Sequence, residues 1–305
     1  MKWRKKGLIF KVDHLNEWMV HSAIQPTAIV VDDIIRVYAG FRNDDGVARI
    51  GYVDLDANDP SKVLYYTETP ILREGEPGCF DDNGVSPCCA YRQGDDVYLF
   101  YSGYNLGHHV RFTSYSGCAV SHDKGMTFKR YSKVPVMERT ENERLFRCVF
   151  DIVPNGDKYM VYYCTGNEFL RGGVKTLASY KIKCLITDDF LKLNTEGTEL
   201  LDTKDNEYRL GRSSIIKTEN KYRMYFCGGG EKITYQLAYA ESTDGINWIR
   251  DDDKLNLNLS ETGWDSEMMA YPSVVQYRDK TYLFYNGNGF GKDGFGYAEL
   301  IADSE

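Results

Sequence analysis

The chain has 305 residues, with 37 Lys and Arg against 45 Asp and Glu and a formal net charge of −8. That acidity argues against a general nucleic-acid surface, and no apolar run has the length of a membrane-spanning helix. Hydrophobic residues at 42% supply a sizeable core, and an aromatic share of 14%, with 24 Tyr, favours strands and sugar-facing surfaces, because the tyrosine ring packs while its hydroxyl hydrogen-bonds.

In chain order, the first predicted element is a strand, KWRKKGLIFKV (2–12). It is basic, and its apolar run is too short for a signal peptide. QPTAIVVDDIIRVYAG (25–40) follows, with an apolar run behind a proline, a charged turn and a second apolar run. The same pattern returns in SPCCAYRQGDDVYLFYSG (86–103), VFDIVPNGDKYMVYYCTG (149–166), RSSIIKTENKYRMYFCGG (212–229) and YPSVVQYRDKTYLFYNG (271–287). Third and fourth strands are predicted after the second run, as in YQLAYAES (235–242) and NWIRDD (247–252). SHDKGMTF (121–128) and ESTDGINW (241–248) read as Ser/Thr-Asp turns between the outer strands of a unit.

Aligned on the aromatic run, the five copies place a reference residue at Pro26, Pro87, Phe150, Ser213 and Pro272, with gaps of 61, 63, 63 and 59 residues. A period near 60 with about four short strands per unit predicts an all-β, five-bladed β-propeller. The last unit, ending at GFGYAEL (294–300), has room for three strands, so the 2–12 strand is expected to complete it. Residues 1–305 then form a single domain.

The eight cysteines lie mostly inside apolar strand runs and form no C-x-x-C pair. They are expected to be buried free thiols in a reducing, cytoplasmic setting. Adjacent His108 and His109 do not suit a single ion, no other metal-ligand spacing is present, and no cofactor is expected. The glycine-rich GNGFGKDGFG (287–296) joins two strands and reads as a loop at the rim of a central site.

Together, the repeat and the segments 212–252 and 271–300 resemble the five-bladed propellers of the arabinanase, invertase, levansucrase and mannoside phosphorylase superfamily, and most closely an uncharacterised branch associated with surface polysaccharides. The resemblance implies a carbohydrate-active enzyme at a glycosidic bond, a glycosidase, phosphorylase or transferase. A non-catalytic carbohydrate-binding propeller is the alternative. In the arabinanase-like pattern an Asp base precedes the first proline, and an acidic Glu lies in the fourth blade. This chain has Gln25 and, near the second position, Gly211, so the usual pair is absent.

Residues at the starts of the first strands should crowd the channel mouth. One position before the reference lie Gln25, Ser86, Val149, Arg212 and Tyr271, and five before lie His21, Asp82, Leu145, Tyr208 and Glu267. Asp82 and Glu267 are the expected catalytic carboxylates, since glycoside chemistry needs one group to give a proton and another to activate water or attack. Asp81, Glu143, Glu168 and Glu231 are lesser acidic candidates. Arg147 and Arg212, with Arg42, Arg49 and Arg111, would bind an anionic group by paired hydrogen bonds. His21, Gln25, Asp81 and Tyr271 are expected to touch substrate, and Tyr104 and Trp264 to stack on sugar rings. The expected partner is a carbohydrate or glycoconjugate bearing an anionic group, or a glycoside with inorganic phosphate as co-substrate, without nucleic acid.

Overall fold

The structure is a computed structural model that describes residues 1–171, 176–204, 206–232 and 234–303. Among the described residues its regular secondary structure is nearly all strand. The chain opens with β1 (Lys2–Lys11) and then forms antiparallel meanders. The first comprises β2 (His21–Val31), β3 (Ile34–Arg42), β4 (Ala48–Asp56) and β5 (Asp59–Tyr66). The second comprises β6 (Val85–Gln93), β7 (Asp96–Leu106), β8 (Phe112–Ser121) and β9 (Lys129–Arg130), and the third β10 (Phe146–Asn155), β11 (Lys158–Leu170), β12 (Leu177–Thr187) and β13 (Thr198–Glu199). The fourth comprises β14 (Glu207–Lys217), β15 (Tyr222–Gly230), β16 (Gln236–Ser242) and β17 (Ile249–Arg250). In the last, β18 (Ala270–Tyr277), β19 (Lys280–Asn286) and β20 (Gly294–Ala302) are joined by β1, which pairs antiparallel with β20.

The expected hairpin chemistry is visible between the outer strands. The Asp123 carboxylate accepts from the Ser121 and Thr127 hydroxyls and from the backbone N–H groups of Met126 and Thr127. Asp244 repeats this with the Ser242 hydroxyl and the N–H groups of Ile246 and Asn247. Such self-bonded Asp side chains fix a tight turn locally.

The first strands of the meanders touch in a ring, β2 to β6 to β10 to β14 to β18 and back to β2. Side chains stitch neighbours together one residue after the reference position. Ser273 Oγ accepts from Ala28 N (2.9 Å), Ser214 Oγ from Val274 N (3.0 Å), and Asp151 Oδ2 from Ile215 N (2.6 Å). The apolar core is divided among the interfaces between neighbouring sheets. One cluster joins Phe41 to Phe284, a second Tyr38 to Leu99, and a third Phe100 to Val161. A fourth joins Tyr162 to Phe226, and a fifth Tyr225 to Tyr285. Each sheet thus buries both faces against neighbours, which explains its continuous apolar runs.

Every first strand carries a register shift against its second strand at the reference position: between Ile24 and Thr27, Pro87 and Cys89, Val149 and Asp151, Gly211 and Ser214, and Ala270 and Ser273. At three of these bulges the residue before the reference is left-handed, Gln25 at φ 57°, Arg212 at 47° and Tyr271 at 57°. A bulge bends its strand and re-aims side chains, and here it turns them toward the ring axis. No helix among the described residues is long and apolar enough to cross a membrane.

Candidate functional site

A cavity of about 730 Å³ opens where the first strands begin. Residues of all the meanders line it: Gln25 and Arg42, Tyr104 and Phe112, Tyr180, Arg209 and Tyr235, and Tyr271. Its walls are aromatic. Tyr235 lies 5.6 Å from Tyr271 and 6.1 Å from Phe290, ring centre to ring centre. Burial pushes the phenols of Tyr104, Tyr180 and Tyr271 well above their ordinary range, so they remain neutral hydrogen-bonding groups at physiological pH.

Cations are set into these walls. The Arg209 guanidinium stacks 4.1 Å from the centre of the Tyr235 ring and 5.0 Å from that of Tyr208, and its Nη2 donates to Thr234 O at 2.8 Å. Arg111 lies over Phe112 and donates to Thr176 O at 3.0 Å. The Nε atoms of Arg42 and Arg209 are buried and have no hydrogen-bond partner among the described residues. Glu231, exposed at the rim, is the single carboxylate among the described lining residues.

Beneath this cavity lies a second one of about 130 Å³, which shares Gln25, Tyr104, Tyr180, Tyr235 and Tyr271 with the first. Arg212 lines it and is only 2% exposed. Its Nη2 donates to Pro26 O (3.0 Å) and Thr27 Oγ1 (2.8 Å), and its Nη1 to Pro87 O (3.4 Å), so it reaches from the fourth meander to the first and second.

The structure brings Gln25, Arg42, Tyr104, Arg111 and Tyr271 to the large cavity, and Arg212 to the small one. It places the other expected site residues elsewhere. Asp82 is turned back into its own loop, where its carboxylate accepts from Gly78 N, Asn83 Nδ2 and Asn105 Nδ2, each at 2.9 Å. The Gly78 N–H, with help from the two amides, holds its carboxyl below the usual range, and its neighbour Asn83 faces the cavity instead. Glu267 is exposed outside the lining, with its backbone N–H on Asn288 Oδ1 at 2.8 Å.

Arg147 is fully buried and saturated by Glu143 and by the carbonyls of Glu138, Leu193 and Thr195. Arg49 is clamped by Glu74, Asp45 and Asn43. Asp81 is buried under Tyr101 and Arg130. Trp264 stacks on Tyr285 at 4.9 Å, and His21 bonds Ser22 Oγ. Among the lesser acids, Glu143 is held by Arg147, Lys183 and Tyr163, and Glu168 is exposed.

Arg209, Tyr180 and Tyr235 went unforeseen. Tyr180 and Tyr235 escape the repeat phase because the mouth is also formed by the ends of second strands and the starts of third strands, whereas Arg209, at the start of the first strand β14, stands four residues before the reference Ser213, a position the repeat phase does not mark. Arg42 and Tyr104 come from the ends of second strands; Phe112, Tyr180 and Tyr235 lie at or near the starts of third strands. Among the described residues, no group of His, Cys, Asp and Glu has the arrangement of a metal site.

No protein-family model matches the chain. Solved structures with the same fold include a glycoside hydrolase, 16% identical with a TM-score of 0.73 over 98% of this chain and 92% of that one. A thermostable family-43 glycoside hydrolase is 15% identical with a TM-score of 0.68, over 95% of this chain and 93% of that one. A β-1,2-mannobiose phosphorylase from Listeria innocua is 12% identical with a TM-score of 0.69, over 98% and 96%. The chain therefore shares its fold with these glycoside hydrolases and with this mannobiose phosphorylase. In sequence, the uncharacterized proteins MT1551 and Rv1502 of Mycobacterium tuberculosis are each 31% identical over 302 residues, covering 98% of this chain and 99% of theirs. The chain belongs to the family of these two mycobacterial proteins, on a fold that solved glycoside hydrolases also have.

Proposed function

We propose that the chain is a carbohydrate-active protein of the glycoside hydrolase type, a single five-bladed β-propeller of residues 1–305 whose central cavity takes a glycan bearing an anionic group. The observation that carries this reading is the pair Arg42 and Arg209, two side chains that line one aromatic-walled cavity without a carboxylate partner among the described residues. Aromatic faces suit the apolar faces of sugar rings, and neutral phenols suit their hydroxyls. Guanidinium groups without carboxylate partners suit a carboxylate, sulfate or phosphate on the ligand. The structural neighbours, glycoside hydrolases and phosphorylases, support carbohydrate as the ligand class. The eight free thiols support a reducing compartment, the cytoplasm, as its location.

If the protein turns over a glycoside, the acid–base role falls to Glu231 before Asp82 or Glu267, because Glu231 alone of the three lines the cavity. The scarcity of carboxylates favours a second reading, a non-catalytic glycan-binding propeller, because hydrolysis uses two.

Calorimetric titration with neutral and uronate-containing oligosaccharides tests the first reading. Saturable binding of the acidic glycans is expected, weakened on the order of 10–100-fold in Arg42→Gln and in Arg209→Gln, about the loss of one charge-assisted hydrogen bond. Equal affinity for neutral and acidic glycans, unchanged in both variants, would refute the anionic ligand. Release of reducing sugar or sugar phosphate by wild type but not by Glu231→Gln, with binding retained, identifies an enzyme. Binding without release in wild type identifies the binding propeller.

A further inference from the structure

The outer edges of the sheets are not protected alike. An unpaired strand edge offers its backbone to another chain, and soluble proteins blunt such edges by shortness, charge or bulges. The outermost strands of the second, third and fourth meanders, β9, β13 and β17, are two residues long. β1, at the edge of the last sheet, is long, but it carries Lys2, Arg4, Lys5, Lys6 and Lys11, and its register shifts three times against β20. β5, at the edge of the first sheet, has eight residues, pairs only with β4, and ends in the uncharged run Val63-Leu64-Tyr65-Tyr66. Its register shifts against β4 leave Leu64 between Val63, opposite Leu55, and Tyr65, opposite Asp54. Such a bulge re-aims side chains, and here it leaves successive apolar residues facing out.

Leu64 is 55% exposed and Tyr65 49%, with exposed Val63 and Tyr66 on either side. Every other exposed large apolar residue among those described stands alone in sequence. The backbone under this strip is held in place. The Tyr65 ring lies 5.9 Å from Tyr52 and the Tyr66 ring 5.5 Å from Phe10. Thr67 N donates to Tyr52 O at 3.1 Å, and Trp18 Nε1 donates to Glu68 O at 2.7 Å. A strip already fixed in shape loses little freedom when something docks on it. None of its residues lines the central cavity.

The charges that bracket the strip say what fits it. In KVLYYTE (62–68) a cation stands three residues before Tyr65 and an anion three residues after it. Laid antiparallel on a copy of itself with Tyr65 at a two-fold axis, the segment brings Lys62 opposite Glu68 of the other copy, twice, and Leu64 opposite Tyr66. Both charges are exposed. Glu68 has no ion-pair partner among the described residues, and Lys62 has only long contacts, 3.5 Å to Asp59 and 4.0 Å to Asp56. One symmetric arrangement therefore pairs both charges and covers the apolar side chains between them.

We propose that the outer edge of β5 is the contact surface for a second copy of this chain, which docks antiparallel across a two-fold axis at Tyr65, with Lys62 of each copy against Glu68 of the other. The dimer leaves both central cavities open and does not depend on what they bind.

Sedimentation velocity of the full chain over about 1–100 µM, where an interface of modest size assembles and dissociates, should show a reversible monomer–dimer equilibrium. A monomer throughout would overturn the second copy as occupant. Tyr65→Lys, which opposes two ammonium groups at the axis, should abolish the dimer. Lys62→Glu and Glu68→Lys should each weaken it on the order of 10-fold, because each turns two attractive pairs repulsive. The chain carrying both substitutions should regain wild-type affinity, and an equimolar mixture of the two single variants should form a heterodimer. Lys62 and Glu68 are exposed, so the charge variants should keep the wild-type melting temperature and report on association alone. A dimer that all these variants leave intact would place the interface elsewhere. Weakening by both single variants without recovery in the double variant would refute the antiparallel pairing.

Discussion

Arg147 and Arg212 carry the same side chain near the same point of the repeat, yet their surroundings give them opposite character. Arg147 is clamped by Glu143 and three carbonyls, with Lys183 and Tyr163 completing the cluster, so it holds the third meander together. Arg212 reaches across the ring with an unfilled Nε. Repeat phase made both visible as inward residues; only the partners around each decide which can meet a ligand. Asp151 is the remaining unusual group. Burial pushes its carboxyl up to about 7, against the lowering effects of the Ile215 and Ile152 N–H groups and of Arg212. Its folded pKa lies above the unfolded value, so the folded chain binds the proton more tightly. Its contribution to stability is therefore fully present below about pH 4, falls as pH rises toward about 7, and is level above that. Asp151→Asn should remove most of this fall. Urea unfolding of both proteins at steps from pH 4 to pH 8 measures it, and identical pH slopes would count against a raised Asp151.

At the scale of the element, the bulge at each reference position sets what the mouth contains. A strand alternates faces, so one extra residue redirects the side chains beyond it. The three left-handed residues Gln25, Arg212 and Tyr271 all line the cavities. An ordinary residue tolerates that backbone region only at a cost, and a β-branched one tolerates it poorly. Gln25 at φ 57° also has its N–H on Asn286 Oδ1 at 2.8 Å, which locks the bulge of the first meander to the last. Gln25→Val should therefore lose about 1–3 kcal/mol of stability, while Gln25→Asn, suited to a left-handed backbone, should lose less. Chemical denaturation ranks the two, and equal stabilities would show that backbone strain at the bulge does not matter.

At the scale of the whole molecule, the ends of the chain meet. β1 pairs with β20 from Lys2 opposite Ala302 to Lys11 opposite Gly294. Trp3 packs edge-on against Tyr225 of the fourth meander, and Lys5 bonds Asp265 at 2.7 Å. Phe10 stands among Phe41, Tyr66 and Phe295, between the last and first meanders. Removing residues 1–12 takes a strand from the sheet and apolar side chains from two interfaces, and leaves the β20 edge open to pairing with other chains. The truncated chain should melt at least several degrees lower and self-associate. Thermal unfolding and light scattering check this, and a truncated monomer of unchanged melting temperature would argue against β1 as a structural strand.

The sequence by itself determined the period, the strand content, the Asp-based turns and the strand left over for β20. These are local patterns of polarity and turn chemistry, repeated often enough to reinforce each other. It also marked Gln25, Arg212 and Tyr271, because their phase in the repeat places them at the bulges. Only the tertiary structure decided that Asp82 spends its carboxylate on its own loop, that Glu267 stays outside, and that Arg209 and Arg42 face the cavity while Arg49 and Arg147 do not. Residue spacing fixes where along a strand a side chain starts. Whether it meets a carboxylate, a carbonyl or an open cavity depends on which distant segments fold against it, and no local pattern encodes that.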